Sequence, residues 1–307
     1  MTPVLFLMGP TAIGKTALAV RLRERLPLEL VSVDSSMVYR GLDIGSGKPG
    51  PELLSRAPHW LVDIRDPDQP YSAADFRREA RGAIEAIQAT GRRPLLVGGT
   101  GLYFRALREG LAPLPAADAQ IRARLEAEAA RTGWQALHRR LGKLDPAAAA
   151  RIRPADSQRI QRALEVHELT GEALSTLQAR ACMPACPYPI RTLILECGSR
   201  AWLHQRIEQR FHAMLAQGLV EEVGALRDRH GADSALPALR AVGYRQVLGY
   251  LNGQYGYQEM IAKTLAATRQ LARRQLTWLR REPADLRLNA DSGAVFDQAL
   301  RWATRAN

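Results

Sequence analysis

Gly9-Pro10-Thr11-Ala12-Ile13-Gly14-Lys15-Thr16 follows a short apolar run and precedes a helical pattern. The spacing GxxxxGK[ST] in that context is a phosphate cradle. Its glycines let backbone N–H groups turn onto phosphate oxygens, and the following helix N-terminus favours an anion. Lys15 adds a mobile positive charge and the Thr16 hydroxyl can reach Mg²⁺. This chemistry is polyphosphate binding and does not by itself mean nucleotide hydrolysis. A hydrolysing enzyme of this kind needs a strand-end carboxylate for Mg²⁺, yet Pro94-Leu95-Leu96-Val97 runs into Gly98-Gly99-Thr100-Gly101. The nearby strand-end carboxylate is Asp34, after Val31-Ser32-Val33. As a Mg²⁺ holder Asp34 suits a kinase or ATPase. As a general base it suits a transferase acting on a weakly acidic N–H or O–H. As an N-cap or loop anchor beside Ser35 it would be structural.

The elements that must position these residues follow from periodicity. Val4 to Met8 is a continuous apolar run, and Thr16 to Leu26 has helical spacing in Ala17, Leu18, Val20, Leu22 and Leu26. Leu28 to Val33 and Pro94 to Val97 read as further buried strands, with a helix over Ala73 to Ala89 between them. Strands alternating with helices predict a parallel, doubly wound P-loop α/β sheet. Gly9, Asp34 and Gly98 to Gly101 then converge at the carboxyl ends of its strands. From Pro113 to Ala181 the pattern changes to Ala, Arg, Glu and Leu with helical period, which predicts an inserted all-helical domain. Arg191 to Cys197 returns to a strand, and the rest is mostly helical. The expected division is a core over 1–112 and 186–307 with the insertion at 113–185.

Composition narrows the partners. With 307 residues, 46% hydrophobic and 24% charged, the chain can bury a sizeable core. A formal charge of +12 points to an acidic partner, with nucleic acid, anionic membrane and acidic metabolite all open on charge alone. Cys182, Cys186 and Cys197 fit neither a secreted disulfide framework nor a zinc spacing. The six histidines, His59, His138, His167, His204, His212 and His230, show no ligand spacing and read as structural or exposed. Met1 to Met8 reads as a first strand rather than a leader. No apolar run reaches the roughly 18 residues needed to span a bilayer, so a cytoplasmic protein without membrane contact is expected.

The run Asp34-Ser35-Ser36-Met37-Val38-Tyr39-Arg40-Gly41-Leu42-Asp43-Ile44-Gly45, with Lys48-Pro49 after it, resembles the tRNA dimethylallyltransferase family, in which DSxxVYxGxDIGTxKP stands here. Further matches are His59-Trp60-Leu61-Val62-Asp63, Gly98-Gly99-Thr100-Gly101-Leu102-Tyr103, Arg159-Ile160-Gln161-Arg162-Ala163, Val242-Gly243-Tyr244-Arg245-Gln246 and Arg274-Gln275-Leu276-Thr277-Trp278. They span almost the whole chain in unbroken order. Met37 replaces a glutamine common in the family, and Ser46 replaces its threonine.

The resemblance implies transfer of a dimethylallyl group from dimethylallyl diphosphate to N6 of adenosine 37 of tRNA. The P-loop would then hold the donor's diphosphate, with Mg²⁺ bridging it to Thr16. Asp34 would accept from adenine N6, Thr100 would sit near the donor's bridging oxygen, and Arg210, in Arg206-Ile207-Glu208-Gln209-Arg210-Phe211, would bind and activate the diphosphate. It also implies RNA contacts at Asp34, Ser35, Ser36, Met37 and Thr100. Gln158, Arg159 and Arg162 recur at helical spacing opposite Ile160, Leu164 and Val166, a pattern that a solvated face would share. The resemblance makes Gln158, Arg159, Ile160, Gln161 and Arg162 an RNA contact. It does the same for Arg240, Ala241, Val242, Gly243, Tyr244 and Arg245, and for Arg273, Arg274, Gln275, Leu276, Thr277, Trp278, Leu279 and Arg280. Arg122, after Asp118 on a helix, completes that surface, and Trp278 taken alone reads more readily as core. The partners expected are therefore the tRNA anticodon stem-loop and dimethylallyl diphosphate, acting on a monomer. Two rivals are a small-molecule P-loop kinase and a non-catalytic RNA-binding module that senses nucleotide.

Overall fold

The computed structural model describes residues 2–180, 185–231 and 236–305. Cys182 lies outside the described residues, so the CxxxC pair has no structural account. The chain forms two compact units, residues 1–107 with 188–307 and residues 108–187.

In the first unit six strands build one parallel sheet in the order β3-β2-β4-β1-β5-β6. They are β1 Val4–Met8, β2 Leu28–Val33, β3 His59–Trp60, β4 Arg93–Gly98, β5 Ile190–Glu196 and β6 Leu286–Asn289. The two outer strands, β3 and β6, are short segments that the reading of the sequence did not separate from their surroundings. All five β1 residues are buried, because helices cover both faces of the sheet. Leu5 and Leu7 face Leu18 and Leu22 of α1 (Lys15–Arg23). Val4, Phe6 and Met8 face the other layer, with Phe76 and Ile84 of α3 (Ala73–Ala89). A short helix α2 (Pro51–Arg56) precedes β3, and α4 (Gly101–Glu109) follows β4. Helix α3 starts where it does because Ser72 and Asp75 form a reciprocal capping box, and its apolar positions recur every three or four residues.

The second unit is helical: α5 Ala119–Thr132, α6 Trp134–Leu144, α7 Pro146–Arg151, α8 Ser157–Thr170 and α9 Leu174–Arg180. Asp118, Asp145 and Asp156 cap α5, α7 and α8, each accepting a hydrogen bond from a first-turn N–H. Its core is Leu125, Leu137, Leu141, Ile160 and Leu164. Glu165 is fully buried inside it. This carboxylate accepts from Arg122 Nε at 2.7 Å and Nη2 at 3.1 Å, from Arg162 Nη1 at 2.7 Å and from the Asp118 N–H at 2.8 Å.

After β5 the first unit continues through α10 (Arg200–Ala216), α11 (Leu219–His230), a 3₁₀ turn at Ala238–Arg240, α12 (Tyr244–Leu251) and α13 (Tyr257–Leu279), and ends with α14 (Val295–Thr304) after β6. Phe211, Leu219, Val223, Tyr244, Val247 and Met260 from these helices bury Val38, Tyr39 and Leu42 of the loop after β2. The C-terminal helices therefore fix the segment that follows Asp34.

Burial works against the charge on Glu165, but the hydrogen bonds from Arg122, Arg162 and the Asp118 N–H outweigh it and hold its pKa below the ordinary 4.5. A depressed acid stabilises the fold above its unfolded pKa, and that contribution is lost as pH falls through the folded value. Glu165→Gln is expected to lower unfolding stability at neutral pH by about 1–3 kcal/mol, since it leaves buried donors poorly matched. The deficit relative to wild type should shrink below pH 4.5, as measured by denaturant titration across pH.

Candidate active site

The site is built at the carboxyl edge of the sheet. Between β1 and α1 the P-loop turns with Ala12 at φ 63° and Gly14 at φ 102°. A positive φ at Ala12 is backbone strain of the kind found where amides are aimed at a ligand. Ile13 is buried in the core beneath the loop and pins it. Helix α1 begins at Lys15 with Gly14 as its N-cap, so its open N-terminal amides face the cradle.

Strand β4 lies directly beside β1, where a P-loop hydrolase would carry its acidic residue. Here Gly98 ends the strand, paired with Met8 on one side and Val33 on the other. A Cβ at Gly98 would stand 2.0 Å from the Val33 carbonyl oxygen. No carboxylate, nor any side chain, fits at that position. The acid stands one strand further out, on Asp34 at the end of β2. Asp34 Oδ1 accepts from the Ser36 N–H at 2.8 Å and the Met37 N–H at 3.3 Å. Among the described residues Oδ2 makes no hydrogen bond. The loop-anchor role and the open carboxylate oxygen thus coexist in one residue: one oxygen fixes orientation and the other is available.

A cavity of about 330 Å³ joins these parts, lined by Thr11 to Thr16, Asp34, Met37, Gly98, Gly99, Arg206, Arg210 and Gln275. A second cavity of about 110 Å³ also touches Thr11, Asp34, Ser46, Arg210 and Gln275, but its far wall is Ile207, Phe211, Met214, Leu219, Val242 and Leu271. A charged chamber and an apolar one therefore share a boundary at Asp34 and Arg210. The cations reach in from α10. Arg206 and Arg210 are four residues apart and so lie on one helix face. Arg206 Nε donates to the Ala12 carbonyl at 2.9 Å, while Arg210 makes long contacts to Thr11 Oγ1 at 3.5 Å and the Ser46 carbonyl at 3.4 Å. Gly47, at φ 67°, leaves room for that guanidinium, since a Cβ there would stand 1.7 Å from Nη2.

Lys15 Nζ donates to the Pro10 carbonyl at 2.8 Å. Burial and then the Arg210 charge push Lys15 down to about 7, against the pull of Asp34. Burial also lowers Arg210, again opposed by Asp34. Two cations held close together at a cost are a site organised for an anion.

The loop between Asp34 and this chamber is held from the C-terminal helices. Glu222 accepts from the Asp43, Ile44 and Gly45 N–H groups at 2.9, 2.7 and 3.1 Å, and from the Tyr244 hydroxyl at 2.6 Å. The Tyr244 oxygen in turn accepts from the Ser46 N–H at 3.1 Å. Thr100 follows the cavity-lining Gly99, and its N–H meets the Val33 carbonyl at 3.4 Å. Its hydroxyl has no partner among the described residues. Trp278 covers Gly101 closely enough that a Cβ there would lie 2.5 Å from its ring.

The expected RNA residues separate into three groups. Ser35, Gln158, Arg159, Arg240, Arg245, Arg273, Arg274, Thr277 and Arg280 are exposed. Ile160, Tyr244 and Leu279 are buried in the cores and present no side chain to RNA, because each falls on the inward face of its helix. Arg122 and Arg162 are engaged with Glu165, and Gln161 donates to the Arg122 carbonyl and Glu126. Of the remaining positions, Ser36, Val242 and Gly243 line the second cavity, whereas Ala241, Leu276 and Trp278 are half-buried. His59, expected to be structural or exposed, lines the cavity wall. Ile207, Phe211 and Met214 were legible only as a helical apolar stripe, which a core helix would share.

For Mg²⁺ the fit is partial but chemically consistent. The Thr16 hydroxyl lines the cavity and has no intramolecular hydrogen bond among the described residues. No group of three His, Cys, Asp or Glu side chains able to hold a metal occurs among the described residues. A cation here would take its other ligands from phosphate and water, as Mg²⁺ does.

Fold and site together define a P-loop enzyme of the transferase type: an anion cradle facing an open carboxylate, with an apolar chamber beside them. The chain belongs to the IPP transferase family, whose model matches residues 37–282. It is 59% identical over 289 residues to a tRNA dimethylallyltransferase of Halorhodospira halophila, covering 94% of this chain and 93% of that one. It is 60% identical over 280 residues to one of Alkalilimnicola ehrlichii, covering 91% and 88%. Among solved structures, the tRNA isopentenylpyrophosphate transferase of Bacillus halodurans is 36% identical with a TM-score of 0.70, covering 99% and 96%. A eukaryotic dimethylallyltransferase acting on tRNA shares the fold at a TM-score of 0.76 and 24% identity, covering 97% and 76%. No described helix is long and apolar enough to cross a membrane.

Lys15 gives a pH signature. A bound polyanion favours the charged lysine, so above about pH 7 each binding event takes up a proton and affinity declines as pH rises. Calorimetry of inorganic diphosphate binding at pH 8.5, in buffers of different ionisation enthalpy, is expected to show larger proton uptake in wild type than in Lys15→Arg, whose guanidinium stays charged. Equal uptake in both would remove Lys15 as the titrating group.

Proposed function

We propose that this protein transfers a dimethylallyl group from dimethylallyl diphosphate to N6 of adenosine 37 in tRNA, releasing diphosphate. The observation that carries the reading is the pairing of Gly98 with Asp34: the metal-holding carboxylate of a hydrolase is sterically excluded beside β1, while an open carboxylate oxygen stands one strand away. The same geometry speaks against a small-molecule kinase. The P-loop amides and Lys15 hold the donor's diphosphate, and the apolar wall at Ile207, Phe211, Met214 and Leu271 has the character and scale to take a five-carbon group.

In the reaction a bond forms between N6 and the first carbon of the allyl group as the carbon–oxygen bond breaks, and diphosphate leaves with the electron pair. Exocyclic N6 is a weak nucleophile because its lone pair is delocalised into the ring. Asp34 Oδ2 stabilises the positive charge that grows on nitrogen and then takes the proton, help worth roughly 10²–10⁴-fold. Lys15, Arg210 and the P-loop amides meet the charge growing on the leaving group, and Thr100, next in the chain to the cavity-lining Gly99, serves the bridging oxygen. Mg²⁺ held by Thr16 would supply further charge neutralisation on the diphosphate.

RNA is read by phosphate contacts from exposed arginines, Arg273, Arg274 and Arg280 on α13 and Arg240 and Arg245 near α12, together with Gln158 and Arg159 of the helical unit. An adenosine in a single-stranded loop is cheaper to extrude than a paired one, which suits an anticodon-loop target. The protein works as a monomer in the cytoplasm, where tRNA is modified.

Transfer of radiolabelled dimethylallyl diphosphate to an unmodified tRNA bearing adenosine 37 tests the reading. Wild type should label the RNA, and Asp34→Asn should lose at least about 10²-fold in turnover with donor binding within a few-fold. ATP turnover without RNA labelling would instead establish a kinase or NTPase. For Arg273→Ala with Arg280→Ala, tRNA affinity should fall and its dependence on log salt should flatten by about two phosphate contacts.

A further inference from the structure

Gln275 was expected at the RNA surface, but its amide points elsewhere. Oε1 accepts from the Thr11 N–H at 2.8 Å, and Nε2 donates to the Gly99 carbonyl at 3.0 Å. Thr11 belongs to the phosphate cradle and touches Arg210 through its hydroxyl. Gly99 leads directly into Thr100, whose N–H meets the Val33 carbonyl beside Asp34. One side chain therefore bridges the loop that holds the leaving group and the loop that borders the acceptor's carboxylate. The contact is close: a Cβ at Gly99 would stand 2.5 Å from Nε2, so the glycine is what admits the amide. The carboxamide satisfies both ends with one acceptor and one donor, because the Thr11 N–H can only donate and the Gly99 carbonyl can only accept.

The helix that bears this amide matters as much as the amide. Gln275 lies on α13 between Arg273, Arg274 and Arg280, all exposed, and Trp278 on the same helix seats Gly101. A displacement of α13 by a few tenths of an ångström would move both loops together, since the cradle and the Gly99–Gly101 segment are fastened to it at two points. We infer that Gln275 is a positioning residue that couples RNA docking on α13 to the donor's diphosphate site, so that each substrate tightens the binding of the other. This inference rests on the RNA placement proposed above. By linkage the factor is the same in both directions.

The test uses the full chain, inorganic diphosphate with Mg²⁺ as the probe, and an anticodon stem-loop RNA. Diphosphate affinity is measured with and without saturating RNA for wild type, Gln275→Glu and Gln275→Leu, the glutamate keeping the size of the side chain but losing the donor to Gly99. In wild type RNA should tighten diphosphate binding about fivefold or more. In both variants the RNA-dependent factor should fall below about twofold, and the donor KM at saturating RNA should rise more than the diphosphate Kd of the free protein. A purely local loosening of the P-loop would weaken free and RNA-bound protein alike and leave the factor intact, which would overturn the inference. Hydrogen exchange on wild type supplies a readout that does not depend on a variant folding. RNA alone, without diphosphate, should slow exchange in residues 9–14 and 98–101, and no protection there would also overturn it. Prenyl transfer that proceeds with no coupling sinks this inference alone; failure of wild type to bind or label the RNA sinks the proposed function with it.

Discussion

Parallel pairing of β1, β4 and β2 puts three strand ends side by side, with β4 in the middle, and the fit at Gly98 decides what each end can carry. Its backbone runs so close to the Val33 carbonyl that the middle strand must end without a side chain. The space that a metal-binding acid would fill in a hydrolase is thereby kept as open floor between the phosphate cradle and Asp34. The acid's displacement by one strand is a chemical change as well as a geometric one. A carboxylate over the phosphates holds a cation, whereas a carboxylate set beside them can face a second substrate.

Around that floor the electrostatics are arranged against the empty state. Burial depresses both Lys15 and Arg210, the Arg210 charge lowers Lys15 further and the Arg206 charge lowers Arg210, and Asp34 partly relieves both. A polyanion in the cavity would relieve this cost without base or sugar contacts being needed. The apolar chamber next to it answers a different requirement. A carbon centre that loses an oxygen leaving group must be kept from water, and the apolar side chains of Phe211, Met214 and Leu271 on that wall suit the requirement.

Helices α11 and α12 act on the site by holding its backbone, unlike α10, whose Arg206 and Arg210 side chains enter the cavity. Glu222 gathers three consecutive N–H groups of the Asp43–Gly45 loop, and Tyr244 adds a fourth contact at Ser46. An identifiable motif residue such as Tyr244 can thus be indispensable to the loop's shape while its ring is buried. The same holds in the helical unit, where Arg122 and Arg162 neutralise the buried Glu165. A strongly basic chain spends part of its positive charge internally, and the field available to RNA comes from the arginines left exposed.

The amino-acid sequence by itself determined the elements and the cradle: the apolar runs of the central strands, the helix at Ala73 to Ala89, and the turn from Gly9 to Thr16. These depend on neighbours three or four residues away, or on backbone torsions that particular residue types allow, so they are written locally. It also carried the family's motifs, and with them Asp34. What only the tertiary structure decided is which partners those residues meet. Gln275 reaches Thr11 across 264 positions and Gly99 across 176, and Glu222 reaches Asp43 across 179. Ile160, Leu279 and Tyr244 lie within the same motifs as exposed arginines, and only the packed helix faces separate core from surface. Short outer strands such as His59–Trp60 belong to this second class too, since two residues hold no period of their own and become a strand only when β2 offers an edge to pair with.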